Sequence, residues 1–212
     1  MGDKHICKNM LIFVPMNNFP TPEVACDNMV IVDADHIDRV AFDLIVNFER
    51  MIGRRIPNAD LPRWLDCVAL DGGIKEGDNV TQVVFIHSRD KQRLEHFNPG
   101  GLKGDIEGKA FRDTLGEFIL NTVSEESIIS REDLLLDLLH VALGSKNIKR
   151  VIVVPDEESL PQVRHALRKV DDDKRVVLLS MQPFGGGDFR SEILGYSLMS
   201  ALGIRSEEIP TT

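Results

Sequence analysis

The sequence predicts a three-layer α/β domain built around a mostly parallel central sheet of five to six strands. Short apolar runs alternate along the chain with longer amphipathic segments. Most of these runs lack the alternation of apolar and polar residues that marks a strand with one solvated face, so both faces of the sheet should be covered. Alternating strands and helices are typically joined by right-handed crossovers, which place helices on both sides of a parallel sheet.

The predicted elements follow one another in a simple order. Six apolar runs are strand candidates: 10–15, 29–34, 81–87, 117–123, 150–155 and 175–181. Four segments show helical periodicity: 36–52, 130–144, 158–169 and 189–202. Pro15 ends the first run, which favours an edge strand or a hairpin there. Glycine-rich stretches at 71–79 and 99–108 predict surface loops, and residues 1–212 are expected to form a single domain.

The composition indicates an ordinary globular protein without a membrane span. Charged residues make up 28% and hydrophobic residues 42% of the 212 residues, and the net charge is −9. This acidic balance argues against a protein that coats nucleic acid. No apolar run approaches the roughly 18 residues of a membrane helix, and no signal peptide is visible. Cys7, Cys26 and Cys67 form neither a zinc spacing nor a disulfide framework, which predicts a cytoplasmic protein.

An acidic pair at the end of the strand candidate 29–34 is the first functional signal. This apolar run ends in Asp33-Ala-Asp35, and ligands of open α/β sheets bind at the carboxyl ends of the strands. Asp156 and Glu157 directly follow the strand candidate 150–155, so they are expected at the same edge. Carboxylate oxygens are the ligands that Mg²⁺ prefers, and two such ions can activate a water for phosphodiester cleavage.

Ordinary structural roles could also explain most of these carboxylates. Asp35 has the spacing of an N-cap for helix 36–52, and Asp133 lies three residues after a serine in a capping-box pattern. Asp137 can belong to a solvated helix face. The acidic residues 156–158 open a helix, where negative charge complements the dipole. Asp33 is the hardest to explain in this way, because it lies inside the strand pattern.

The order of these pieces resembles the NYN branch of the PIN-like nucleases over about residues 29–181. In that family a strand ends in Asp-x-x-Asn, a later helix carries spaced aspartates, and the next strand ends in Ser-Gly-Asp-x-Asp. The corresponding segments here are Asp33-Ala-Asp35-His36, the helix SREDLLLDLLHVALG, and Asp156-Glu157 followed by Glu-Ser-Leu-Pro-Gln-Val. His36 stands in place of the Asn, and one acidic residue of the last motif is missing.

The resemblance implies a Rossmann-like, PIN-like fold and a Mg²⁺-dependent nuclease acting on RNA or another phosphodiester, with RNA or a small phosphorylated ligand as its partner. The implied catalytic residues are Asp33, Asp137 and Asp156, and the implied metal ligands are Asp33, Asp35, Asp137, Asp156 and Glu157. The departures from the motif leave open a non-catalytic PIN-like module for regulation or interaction, which would self-associate as a homodimer. Leu194, Leu198 and Met199 could supply its apolar patch, although core packing explains them equally well.

A second resemblance starts from the same strand end. Asp33-x-Asp35 after an apolar strand also looks like the first motif of the haloacid dehalogenase-like phosphatases. This resemblance implies that Asp33 is a nucleophile that forms an aspartyl-phosphate and that Asp35 is an acid/base. Ser88 after strand 81–87 could stand for the second motif, and Lys149 with residues 156–157 for the third and fourth.

Two other features are expected to be structural. The run 184–188, Phe-Gly-Gly-Gly-Asp, lacks both the GxGxxG and the Walker patterns, which favours a turn with Asp188 as the N-cap of helix 189–202. Trp64, the single tryptophan, is expected to be a packing residue rather than a platform for base stacking.

Overall fold

The computed structural model describes residues 26–168, 170, 173–183 and 187–209, and the strand candidate 10–15 lies outside them. Most of the glycine run 184–188 also lies outside the described residues. The strands are β1 (Asn28–Asp33), β2 (Ala59–Asp60), β3 (Val80–His87), β4 (Phe97–Asn98), β5 (Lys109–Asp113), β6 (Gly116–Ser124), β7 (Arg150–Val154), β8 (Arg175–Ser180) and β9 (Arg190–Ile193). The α-helices are α1 (Ala34–Ile52), α2 (Leu61–Asp71), α3 (Arg131–Gly144), α4 (Leu160–Ala166) and α5 (Leu194–Ala201).

Seven strands form the central sheet in the order β5-β6-β3-β1-β7-β8-β9. All neighbouring strands are parallel except β5, which runs antiparallel to β6 at one edge. Numbered along the chain, the parallel strands have the order 3-2-1-4-5-6, which is that of a doubly wound sheet. The sheet is therefore larger than the five to six strands predicted, because β5 and β9 extend its two edges. The short strands β2 and β4 pair separately.

Helices cover both faces of the sheet and complete three layers. The side chains of β1 alternate between the faces, as the two-residue period of a strand requires. Val30 and Val32 pack in one apolar cluster with residues of α1, α2 and α5. Met29 and Ile31 pack in a second cluster with residues of α3 and α4. These four side chains are essentially inaccessible to solvent, which explains why β1 reads as a continuous apolar run and confirms the predicted α/β layering.

The C-terminal part of the predicted helix 189–202 is helical, but its beginning is a strand. Arg190–Ile193 form β9, which pairs in parallel with β8, and α5 starts only at Leu194. Asp188 is therefore not the N-cap, and Ile193 occupies that position instead. Pairing with the open edge of β8 outweighs the helical periodicity of this short segment, because a strand there satisfies backbone groups that the edge would otherwise expose.

The other helices differ from prediction in extent and number. The predicted helix 158–169 begins as a 3₁₀ turn at Glu157–Ser159 and continues as α4 only to Ala166. Helix α2 is absent from the predicted elements, although Asp60 caps it by accepting from the backbone N–H of Arg63. Trp64 of this helix is fully buried with its ring 5.7 Å from that of Phe97, which confirms its packing role.

Two segments that were predicted to lie at the surface contribute to the core. The predicted loop 99–108 contains a short π-helical turn, Leu102–Ile106, whose two end residues are buried. Leu194 and Leu198 of α5 are fully buried, and Met199 packs against the same core cluster. These residues of α5 therefore stabilise the interior and do not form a surface patch.

Among the helices described, none is both long and apolar enough to cross a membrane.

Helix α2 also carries a carboxyl group that interacts with a second one. Asp66 is hydrogen-bonded to Asp113, the last residue of β5, and Asp113 also accepts from the backbone N–H of Leu115 at 2.7 Å. Burial, this hydrogen bond and the negative charges of Asp113 and Asp60 raise the pKa of Asp66 to about 7. A hydrogen bond between two carboxyl groups requires a shared proton, so the pair stabilises the folded protein more under acidic conditions.

We expect the protein to become less stable as the pH rises from about 4 to about 7, because the unfolded chain releases this proton while the folded protein retains it. The folded protein holds the proton up to a pKa of about 7, whereas an unfolded aspartate releases it near 3.9. The stabilising contribution is therefore complete below the unfolded value and is lost as the pH approaches the folded one. Asp66→Asn should flatten the pH dependence of the free energy of urea unfolding. An unchanged profile in Asp66→Asn, relative to the exposed control Asp137→Asn, would contradict the shared proton.

Candidate functional site

The parallel strands bring several polar residues to one edge of the sheet. Asp33 is the last residue of β1, and Asp156 lies two residues beyond the end of β7. These two strands are neighbours, with Val32 beside Val154 in their register. The chain adds strands on one side of β1 and then crosses to the other side with β7. In doubly wound sheets this switch point is where ligands commonly bind.

Asp33 caps α1 and binds an arginine at the same time. One of its carboxylate oxygens, Oδ1, accepts from the backbone N–H of His36 at 2.9 Å. Nη1 of Arg131 donates to both oxygens, at 2.7 Å to Oδ1 and 2.9 Å to Oδ2. The N-cap of this helix was predicted to be Asp35, and that prediction is wrong because the helix begins two residues earlier than the sequence pattern suggested.

Arg131 is the first residue of α3, and acidic groups surround its guanidinium. Besides Asp33, it lies 3.6 Å from Oδ2 of Asp35 and 3.9 Å from Oε2 of Glu125. A cation at a helix N-terminus opposes the helix dipole. The surrounding carboxylates offset this unfavourable placement, so Arg131 supplies the positive charge that the acidic edge needs.

The burial of Asp33 is costly for its charged form. Its side chain is only 6% exposed, and burial raises the pKa of this carboxyl group. The charge of Arg131 and the N–H of His36 act in the opposite direction, whereas the negative charges of Asp35 and Asp156 add to the rise. Arg131 therefore offsets part of the desolvation cost of a carboxylate that is almost completely shielded from water.

Asp35 does not cap α1 and instead contacts the loop after β3. Its two oxygens accept from the backbone N–H and the hydroxyl of Ser88, each at 2.8 Å. Ser88 directly follows β3, so this pair connects the first turn of α1 to the loop after the neighbouring strand. The contact orders the edge of the sheet and leaves Asp35 half-buried.

Asp156 is also paired with an arginine. Its Oδ2 accepts from Nη2 of Arg39 at 3.0 Å, and its Oδ1 accepts from the backbone N–H of Glu158 at 3.3 Å. Burial acts to raise the pKa of Asp156, but these hydrogen bonds outweigh it and lower the pKa overall. As predicted, the acidic run 156–158 opens a helical segment, with Asp156 as the cap of the 3₁₀ turn.

His36 lies between these two ion pairs and is neutral at pH 7. Burial, together with the charges of Arg39 and Arg131, lowers its pKa to about 4 despite the opposing charge of Asp156. Its Nδ1 faces Nη2 of Arg39 at 3.2 Å and must accept there, because the guanidinium can only donate. The proton therefore lies on Nε2, which is buried and has no hydrogen-bond partner among the described residues.

Among the described residues, Asp137 and Glu157, the remaining predicted site residues, take no part in the contacts of Asp33, Asp35 and Asp156. Asp137 is exposed on α3, and no hydrogen bond or ion pair within the described ranges joins it to Asp33 or Asp156. Glu157 is exposed in the 3₁₀ turn. Asp133 forms the predicted capping box with Ser130, each accepting from the other's backbone N–H. The edge thus gathers Asp33, Asp35 and Asp156, but not Asp137.

The carboxylates at this edge do not fit the magnesium centre that the PIN-like resemblance implies. In the described part of the chain no group of three or more His, Cys, Asp or Glu side chains is arranged to hold a metal ion. Mg²⁺ requires oxygen ligands in a near-octahedral arrangement. Arg131 donates hydrogen bonds to both oxygens of Asp33, and Arg39 donates one to an oxygen of Asp156. Guanidinium groups supply the compensating charge at this edge.

The sequence patterns did not indicate the basic partners or the role of Asp38. Asp38 is buried and accepts from Nζ of Lys91 at 2.7 Å and from the backbone N–H of His96 at 2.9 Å. These contacts hold the loop after β3 against α1, and they lower the pKa of Asp38 although burial acts to raise it. One signal was available for Arg131, since a cation at the first position of a helix suggests a nearby acid.

We predict that Arg131→Met destabilises the protein by about 2 kcal/mol, because it leaves the buried carboxylate of Asp33 without its cation. Arg39→Met is the matched control. The side chain of Arg39 is 55% exposed, so the loss should stay below about 1 kcal/mol. Urea unfolding at neutral pH measures both changes. Equal losses in the two variants would show that Arg131 has no special role at this edge.

Comparison with known proteins gives a family for the chain. No curated protein and no solved structure matches it significantly. A model of a family of unknown function, DUF6621, matches residues 24–209, which includes every strand of the central sheet and the whole acidic edge. The chain therefore belongs to the DUF6621 family.

Proposed function

We propose that this protein is a non-catalytic module with a Rossmann-like, PIN-like fold, which acts by binding a partner. The observation that carries the proposal is the contact of Arg131 with both oxygens of Asp33. In the nuclease interpretation this carboxylate is the central metal ligand. Here an internal guanidinium occupies the place that the cation would need, and it stabilises the fold from there.

The other positions of the implied centre support the same proposal. Asp156 is held by Arg39, and Asp137 is exposed outside the network. The phosphatase interpretation meets a related obstacle, because a nucleophilic Asp33 needs an accessible oxygen to attack phosphorus. Asp33 is 4% exposed and both of its oxygens accept hydrogen bonds. A binding role requires none of these groups to be free.

A Mg²⁺-dependent nuclease acting on RNA or another phosphodiester is the second candidate. It is favoured by the placement of Asp33 and Asp156 at the switch point of the sheet, close enough for Asp156 and Asp35 to affect the pKa of Asp33. In this alternative Arg131, whose side chain is 26% exposed, would swing away when a divalent cation and an anionic substrate bind.

Metal titration separates the two candidates. We expect calorimetry with Mg²⁺ or Mn²⁺ to give no heat that depends on Asp33 in the wild-type protein, because Arg131 already neutralises this carboxylate. Single-stranded RNA and a generic phosphomonoester should remain intact in the presence of either metal. The comparison variant is Asp33→Asn, whose side-chain oxygen can still cap α1.

The variant Arg131→Met makes this test sharper, provided that circular dichroism shows a folded protein. In the described residues no group of three or more His, Cys, Asp or Glu side chains is arranged to hold a metal ion, so Arg131→Met should not gain an Mn²⁺ affinity that depends on Asp33. A gain that the double variant Asp33→Asn/Arg131→Met loses again would favour the nuclease. Wild-type protein that binds metal through Asp33 and cleaves RNA would establish the nuclease and overturn the proposal. Turnover of the phosphomonoester that is abolished in Asp33→Asn would instead establish the phosphatase.

A further inference from the structure

A row of polar side chains crosses the central sheet at the edge opposite to the acidic one. Thr81, Asn28, Arg150 and Arg175 lie side by side in the register of β3, β1, β7 and β8. Each of them is followed two residues later by a member of the apolar cluster shared with α1, α2 and α5. Because side chains two residues apart in a strand share a face, all four belong to the same face of the sheet.

The buried end of this row holds the guanidinium of Arg150. Asn28 and Thr81 are both fully buried, and Nδ2 of Asn28 donates to Oγ1 of Thr81 at 3.5 Å. The other side-chain atom of Asn28, Oδ1, accepts from Nη1 of Arg150 at 3.0 Å. Nε of Arg150 is also buried, but it has no hydrogen-bond partner among the described residues. Asn28 therefore fixes a guanidinium whose hydrogen-bonding capacity the protein satisfies only in part.

The outer end of the row places a second cation beside the first. Arg150 and Arg175 are the first residues of neighbouring parallel strands and are paired in register, so their backbones are about 4.8 Å apart. Burial of Arg150 and the charge of Arg175 both lower the pKa of Arg150. Like charges opposite each other on neighbouring strands are destabilising unless a counter-charge lies between them.

No carboxylate of the described chain supplies that counter-charge. Neither Arg150 nor Arg175 forms an ion pair or a hydrogen bond with an acid of the described residues. Asp173, two residues before Arg175, is instead 3.4 Å from Nζ of Lys149.

Two further observations set this pair of cations apart. Glu192, an acid on the same face of the sheet, is bound to Arg190 at 2.7 Å. Arg39, Arg54 and Arg131 each donate to a carboxylate. A half-buried guanidinium that faces only another cation therefore differs from the paired arginines of this protein, and it lacks an anion.

We infer that Arg150 and Arg175 form a binding site for a phosphate group. A phosphate carries enough negative charge to neutralise both cations, and its oxygens match the planar fork of a guanidinium. Asn28 holds Arg150 in place, and the exposed Arg175 leaves the site open to solvent. The site lies at the edge of the sheet opposite to Asp33 and Asp156, so it goes beyond the proposed function and does not depend on it.

Calorimetry on the full-length protein tests the site with inorganic phosphate as the probe, in a buffer free of other oxyanions and at constant ionic strength. We expect one saturable site. Acetate should bind at least about tenfold more weakly, because its single charge leaves one guanidinium uncompensated. Glycerol phosphate is the second probe. Tighter binding than inorganic phosphate would identify a phosphate monoester as the ligand, and weaker binding would identify the free ion.

Two variants remove the site in different ways. Arg175→Gln removes one of the two cations from an exposed position and should weaken phosphate binding at least about tenfold. Asn28→Asp is nearly isosteric and leaves both arginines in place, but it puts a carboxylate against Nη1 of Arg150. This built-in counter-charge should also weaken phosphate binding at least about tenfold, because the anion then has one unpaired cation fewer to neutralise.

The matched control is Arg63→Gln, which removes the same charge from an exposed position in the first turn of α2 and should leave the affinity unchanged. Circular dichroism verifies that each variant folds, and the exposed position of Arg175 keeps the test decisive if Asn28→Asp does not. A wild type that binds no phosphate would overturn the inference. Phosphate binding that Arg175→Gln leaves intact, or that Arg63→Gln weakens equally, would overturn it as well.

Discussion

The carboxylate of Asp33 connects three elements at the edge of the sheet. It ends β1, caps α1 through the N–H of His36 and binds Arg131 at the start of α3. Helices α1 and α3 lie on opposite faces of the sheet. One partly buried ion pair therefore holds the first turns of two helix layers in place against the central strand. The contacts of Asp35 and Asp156 are arranged around this pair.

The main features of the fold could be predicted because they depend on local patterns. The apolar runs of β1, β3, β7 and β8 are buried on both faces, and this removes the polar alternation that would otherwise mark a strand. The structure departs from the predicted elements where tertiary contacts determine the local conformation. Strand β9 forms because the edge of β8 needs a partner, and the π-helical turn at Leu102–Ile106 forms because its two apolar ends reach the core.

The candidate site was predictable in position but not in chemistry. The parallel strand direction, which the alternation of strands and helices predicts, brings Asp33 and Asp156 to one edge of the sheet. The sheet order, which was not predicted, makes their two strands neighbours. The partner of Asp33 cannot be found in this way, because Arg131 lies 98 residues further along the chain. An acidic cluster paired with arginines and an acidic cluster awaiting a metal have the same local sequence pattern. Only the long-range contacts distinguish a structural edge from a catalytic centre.

The claim that Arg131 acts as a built-in cation for Asp33 is tested most directly by a double-mutant cycle. The free energies of urea unfolding of Asp33→Asn, Arg131→Met and the double variant, relative to the wild type, give the coupling energy of the two side chains. We predict a favourable coupling of about 2 kcal/mol, with the double variant more stable than the sum of the single losses implies. Losses that simply add, with a coupling near zero, would contradict the account.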